Sequence, residues 1–126
     1  MKLKPIVIAA SIALATAASA QGTGPVKIGF ITDMSSLYAD IDGPAGAEMV
    51  KWAAEDFGGK VLGRPVEVLS ADHQNKADVA SSKAREWIDK EGLSMLVGGT
   101  NSGTALAMAK VAEEKKRPFI VIGAGS

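Results

Sequence analysis

The stretch "LVGGTNSGTALAM", Leu96 to Met108, is an apolar run, then a loop of Gly, Thr, Asn and Ser, then small and apolar residues at helical spacing. A chain that enters such a loop as a strand and leaves it as a helix forms a strand–turn–helix unit. One such unit is only a motif. Several in succession make a sheet with helical crossovers, so the neighbouring segments decide the fold.

Working outward, the same alternation recurs. "VKIGFIT" (Val26 to Thr32) is a β-rich run followed by a polar loop through Asp42. "PAGAEMVKWAAEDF" then sets Ala47, Val50, Ala54 and Phe57 at three- and four-residue spacing, as in an amphipathic helix. Pro44 suits its first turn, Asp42 is a nearby cap, and Gly58-Gly59 stops it. "RPVEVLSAD" is a second strand, and "DHQNKAD" leads into a helix from about Ala77 to Lys90. Its buried stripe is Ala80, Ala84, Trp87 and Ile88, and Gly92 ends it. "LSMLVGG" is the third strand. Ala105, Met108, Ala109 and Ala112 line a third helix, and "RPFIVIGAGS" is a fourth strand.

Four strands alternating with three helices, each connection long enough for a crossover, imply an α/β fold with a doubly wound parallel sheet. The third and fourth strands are nearly unbroken apolar runs, as expected for central strands covered on both faces. The chain stops at Ser126, just after the fourth strand, with no helix to cover that side. The expectation is the N-terminal part of a longer protein or a truncated gene product.

The first twenty residues read differently. Lys2 and Lys4 form a basic head, Pro5 to Ala18 carry no charge, and Ala18-Ser19-Ala20 offers small residues for cleavage before Gln21. This is the pattern of a secretory signal peptide over 1–20, and the apolar part is shorter than the roughly 20 residues a membrane span needs. No later segment could span, so no membrane insertion follows cleavage. The remainder, 21–126, carries two more acidic than basic residues, since Lys2 and Lys4 leave with the signal. Only Lys115-Lys116-Arg117 clusters positive charge, and it complements a helix C-terminus. A nucleic-acid partner therefore has no electrostatic footprint. Cysteine is absent, which excludes thiolate zinc sites and cysteine catalysis. Export without disulfides suits a bacterial periplasm.

In a parallel sheet, ligands bind beyond the carboxyl ends of the strands. Those loops are Asp33 to Gly43, Asp72 to Lys76, Gly98 to Ser102, and Gly123 onward. The third cannot be a Walker loop: only three residues separate Gly99 from Gly103, and no lysine follows. G-x-G-x-x-G is absent as well. What remains is a helix N-terminus with the hydroxyls of Thr100, Ser102 and Thr104, donors suited to a single carboxylate. Ser126 could add a hydroxyl from the adjacent loop. Against this, Asn101 or Ser102 could simply cap its own helix. Asp33, Asp40 and Asp42, with Asp72 and His73, could signal metal or acid–base work. His73 is the only histidine, however, and turn and capping roles fit these residues better. No metal or cofactor is expected. Tyr38, the only tyrosine, is either a ligand wall or core packing.

Taken together, "VKIGFITDMSSLYADIDGPAGAEMVKWAAEDFGG", "GRPVEVLSADHQNKADVA" and "LSMLVGGTNSGTALAMAKVAEEKKRPFIVIGAGS" resemble the start of a periplasmic solute-binding protein of an ABC importer, of the branched-chain amino-acid type. The resemblance implies two α/β lobes around a cleft. Residues 21–126 would form an incomplete N-terminal lobe of a type I periplasmic binding protein, with the second lobe and hinge absent. It also implies that Thr100, Asn101 and Ser102 hold a ligand carboxylate, that Ala124 and Ser126 add contacts, and that Tyr38 packs over the ligand. The partner implied is the importer's membrane permease. "DMSSLYADIDGP" and "GGTNS" look more like the subgroup associated with aromatic carboxylates.

Two other functions compete. An extracellular sensing domain of a signalling receptor could share the fold. An exported hydrolase would need a G-x-S-x-G elbow and a histidine partner; "GTNSGT" lacks that spacing, and His73 lies two strands away. No catalytic residue is expected, and the chain is not read as an enzyme.

Overall fold

The computed structural model describes residues 22–125; the expected signal segment 1–20 and Ser126 lie outside the described residues. The elements run β1 (Val26–Thr32), α1 (Ala39–Asp42), α2 (Pro44–Asp56), β2 (Lys60–Val61), β3 (Arg64–Asp72), α3 (Ala77–Lys90), β4 (Met95–Gly98), α4 (Ser102–Glu114) and β5 (Phe119–Val121). The sheet order is β2-β3-β1-β4-β5. β1, β3, β4 and β5 are mutually parallel, and β2 pairs antiparallel with β3.

This is the α/β fold expected, with two additions. Beyond the helix stop at Gly58 and Gly59, both with positive φ, the chain makes a tight hairpin, so a fifth, two-residue strand borders β3. The loop after β1 also contains the one-turn helix α1. Neither has a length or periodicity that marks it in the sequence. Gly43, rather than Asp42, occupies the N-cap of α2, without a side-chain cap.

Side chains of β1 alternate between the two faces, as the pleat requires. Gly29 and Ile31 face α3 and α4, where Ala80, Ala84, Trp87, Leu93, Leu96, Met108 and Val111 close the core. Gly29 is needed there: a Cβ would come within 2.8 Å of the Trp87 ring and 2.9 Å of Leu93. Phe30 faces the other way and packs under α2, where Gly46 leaves room for its ring. Phe30, Ile31, Leu93, Leu96 and Met108 are fully buried. Each contributes roughly 1.5–3 kcal/mol by leaving water, so β1 and its α3/α4 cover anchor the sheet.

The α2 face is thinner. Ala47 is buried and Val50 and Ala54 are half-buried, but Phe57 is 73% exposed, against the expected stripe. Between α2 and the sheet runs an apolar groove of about 280 Å³, with Ile28, Val66, Met95 and Val97 on its floor. β5 is the last strand of the described residues. It ends the sheet order, and Ile120 and Val121 are exposed rather than covered on both faces. In α4 the buried set is Thr104, Ala105, Met108, Val111 and Ala112, with Ala109 only half-buried.

Register positions the site. Thr32 lies opposite Asp72, Ile31 opposite Gly98, and Gly98 opposite Val121. All four parallel strands therefore end at one level, and their loops leave the sheet side by side.

Candidate functional site

The first loop is built around Asp33. Its carboxylate is fully buried and accepts from Ser36 Oγ (2.6 Å), Tyr38 N–H (2.9 Å), Ser36 N–H (3.0 Å) and Ser35 N–H (3.4 Å). Burial pushes the Asp33 carboxyl up, but these donors outweigh it and hold it below the usual carboxylate range. Asp72, at the end of β3, ties the second loop to the first. It accepts from Met34 N–H (3.0 Å), Ser35 Oγ (2.5 Å) and Gln74 N–H (2.7 Å). Burial raises this carboxyl too, and its donors bring it below the ordinary value despite the nearby Asp33 charge. Both aspartates thus act as turn staples, as turn chemistry suggests. Among the described residues no group of three or more His, Asp or Glu is arranged to hold a metal ion.

The third loop owes its shape to Gly98. At φ +144° its missing Cβ would overlap the Ile31 carbonyl oxygen, so only glycine lets β4 leave the sheet here. Asn101 follows in extended conformation and caps α4. Its side-chain oxygen accepts from Thr104 N–H (3.1 Å), while Thr104 Oγ donates back to the Asn101 carbonyl (2.9 Å). The capping alternative is therefore realised by Asn101. Ala105 N–H makes the first intrahelical bond. Among the described residues the N–H groups of Ser102 and Gly103 have no protein acceptor, as the first turn of a helix dictates. Together with the half-buried Thr100 and Ser102 hydroxyls they form a donor set at the positive end of a 13-residue helix.

The fourth loop lies against the third. Ile122 N–H donates to the Gly98 carbonyl (2.9 Å), and a Cβ on Gly123 would stand 3.6 Å from Thr100 Cγ2. Half-buried Ala124 continues from there, while Ser126 lies outside the described residues. Tyr38 heads α1 in the first loop, half-buried rather than in the core. Thr100, Asn101, Ser102, Ala124 and Tyr38 are thus gathered at one edge of the sheet by register alone.

Two features here escape the sequence. Leu37 and Ile41, 77% and 68% exposed, project from the first loop, so this edge carries aliphatic surface as well as donors. Their four-residue spacing in an otherwise polar loop was the available signal. The arginines that meet the backbone also sit at the opposite end: Arg64 reaches the Gly24 and Pro25 carbonyls and Arg117 the Leu93 carbonyl. An anion at the carboxyl edge would be held by N–H and O–H donors, which suits one carboxylate better than a phosphate.

A sequence model described as "Periplasmic binding protein" matches residues 25–126. Among solved structures, a periplasmic binding protein from Burkholderia mallei is 68% identical, with a TM-score of 0.80 over 82% of this chain and 28% of that one. A branched-chain amino-acid ABC transporter periplasmic ligand-binding protein from Burkholderia xenovorans LB400 is 50% identical, with a TM-score of 0.71, covering 75% of this chain and 26% of that one. A solute-binding protein of an R. palustris ABC transporter, in complex with benzoate, is 31% identical, with a TM-score of 0.72 over 81% and 28%. The chain spans little more than a quarter of these proteins' lengths. No curated protein sequence matches significantly.

Proposed function

The chain belongs to the periplasmic binding protein family, and we propose that it serves as the extracytoplasmic solute-binding component of an ABC importer, capturing a small carboxylate for a membrane permease. Family members are solute-binding transport proteins rather than enzymes. In this reading residues 1–20 direct export to the periplasm, and 21–126 belong to the N-terminal ligand-binding lobe. The observation that carries it is the pair of unpartnered N–H groups on Ser102 and Gly103, flanked by the Thr100 and Ser102 hydroxyls at the strands' carboxyl edge. Asn101 holds this turn in shape by capping it. Ala124 borders the site from the neighbouring loop, and Tyr38 with Leu37 and Ile41 supplies its apolar side.

Aliphatic side chains beside carboxylate donors favour a ligand with an apolar body, an amino acid or an aromatic acid. The benzoate complex of the R. palustris relative supports the aromatic choice. The test is a thermal shift of the intact protein against benzoate, isoleucine and short aliphatic acids. A native-state binder raises the melting temperature with its occupancy, by about 2.7 kcal/mol of stability at a hundredfold excess over Kd. Stabilisation by one class supports the reading. Indifference to every carboxylate refutes it.

A further inference from the structure

Beneath the first loop lies a second polar cluster that the carboxylate site does not use. His73, at the end of β3, is only 1% exposed, and its backbone N–H donates to the Thr32 carbonyl (2.8 Å). Its Nδ1 accepts from Asn75 N–H at 3.0 Å. That bond fixes the tautomer, because a neutral imidazole accepting at Nδ1 carries its proton on Nε2. Nε2 is buried and unpaired. The same is true of Thr32 Oγ, of Asn75 Oδ1 and of both carboxylate oxygens of Asp42, the last residue of α1.

Burial lowers the proton affinity of His73, and three aspartates oppose it by their charge: Asp33 from the first loop, Asp72 from the end of β3, and Asp42 from α1. Two of them are occupied. Asp33 already takes four hydrogen bonds and Asp72 three. Lys76, the nearest cation in the second loop, turns to Gln74 (3.3 Å). Asp42 is the charged acceptor left over, Asn75 Oδ1 is a neutral one, and His73 Nε2–H is the ring donor left over. Buried polar atoms without partners each cost about 1–3 kcal/mol, so a donor and an acceptor stranded together imply a bridge.

We infer that His73 is a positioning residue: its Nε2–H is joined to Asp42, through one buried water shared with Thr32 Oγ, and this latch holds α1 and the ligand-facing first loop against the second loop. A water that accepts from Nε2 and donates to Asp42, with Thr32 as third partner, has the two to four polar neighbours that a buried water requires. Asp42 is reached only across the whole first loop, whereas Thr32 and His73 are joined through the sheet. The bridge therefore closes the loop at its far end, as Asp33 closes it at its near end. The role assigned to Tyr38 and its neighbours rests on the carboxylate-binding reading; the latch does not.

The test uses the intact protein and needs no ligand. His73 is the only histidine in the 126 residues, and His73→Gln assigns its imidazole signals in nitrogen-15 and proton spectra. The expected result is a neutral Nε2–H tautomer with a slowly exchanging Nε2 proton. Asp42→Ala is expected to lose that proton to solvent exchange and to lower the His73 titration, because a neighbouring negative charge has gone. Asp42→Asn, which keeps an acceptor oxygen, restores the guarded proton but not the titration. The α1 amides of Ile41 and Gly43, bonded to the Tyr38 and Ala39 carbonyls, are expected to exchange at least about tenfold faster in Asp42→Ala, with α3 unchanged. An Nδ1–H tautomer, or an Asp42→Ala protein with the same Nε2 proton and the same α1 exchange, overturns the inference. A protein that ignores every carboxylate yet guards the Nε2 proton keeps the latch and loses the binding reading.

Discussion

Removing the Asp33 carboxylate tests the claim that this residue shapes the ligand-facing loop. Three of its four bonds are well formed, at 2.6, 2.9 and 3.0 Å, and the fourth, at 3.4 Å, counts for little. Hydrogen bonds to a charged group contribute about 1.5–3 kcal/mol each, so the gross loss in Asp33→Ala is about 4–9 kcal/mol. Two effects reduce it. The carboxylate itself costs several kcal/mol to bury, and the freed donors of Ser35 and Ser36 sit on an exposed loop where water replaces the bonds. The net expectation is a loss of about 2–4 kcal/mol, with Asp33→Asn, which keeps one acceptor oxygen, losing about half as much.

Urea unfolding of the intact protein reads this through Trp87, which packs in the α3/α4 core at 9% exposure. Trp52, 60% exposed on α2, is replaced by Phe to remove its background. With a slope of about 2 kcal/mol per molar urea, the Asp33→Ala midpoint falls by about 1–2 M. A change below about 0.5 kcal/mol, the range of ordinary surface substitutions, refutes the reasoning.

Gly98→Ala is expected to cost about 3–5 kcal/mol, since the new Cβ meets the Ile31 carbonyl and β1 cannot move off β4 without breaking the sheet; a midpoint near wild type in the same urea assay would contradict this. Asn101→Asp keeps the acceptor for Thr104 N–H and adds a charge that the helix N-terminus favours by about 0.3–1 kcal/mol. It should therefore hold or raise stability while weakening benzoate or isoleucine binding in calorimetry by about tenfold or more, about 1.4 kcal/mol; unchanged affinity would move the carboxylate away from this turn. Acid is expected to unfold the protein in two stages. Burial lowers the His73 pKa from 6.5, so its contribution is full above that value and is lost as pH falls through the lower folded pKa. Asp33 and Asp72, lowered from 3.8, contribute above that value and fail below it. Melting temperature against pH checks both stages, and His73→Gln should remove only the first.

Much of the fold was legible because burial imposes periods. Val26–Thr32, Arg64–Asp72 and Ala77–Lys90 have the bounds their patterns suggest, and Ala80, Ala84, Trp87 and Ile88 are all buried. Those elements pack on both flanks or along a full stripe, so nearly every residue in them is constrained. Where packing is partial, the pattern said less: Phe57 completes a stripe that α2 does not bury among the described residues. β2 and α1 escaped because two- and four-residue elements carry no period.

The site divides in the same way. Local chemistry in the sequence was enough to identify a strand–turn–helix donor loop, to exclude phosphate and thiolate sites, and to offer Asn101 or Ser102 as a cap. These depend on residues within a few positions of one another. What only the tertiary structure decided is which loops meet. The register of β1 with β3 brings Met34 to Asp72, and that of β4 with β5 places Gly123 beside Thr100. The fold also buries His73 Nε2 and the Asp42 carboxylate without hydrogen-bond partners. Such contacts join residues roughly 20–40 positions apart. They are set by strand pairing across the sheet, which leaves no periodic trace in either segment alone.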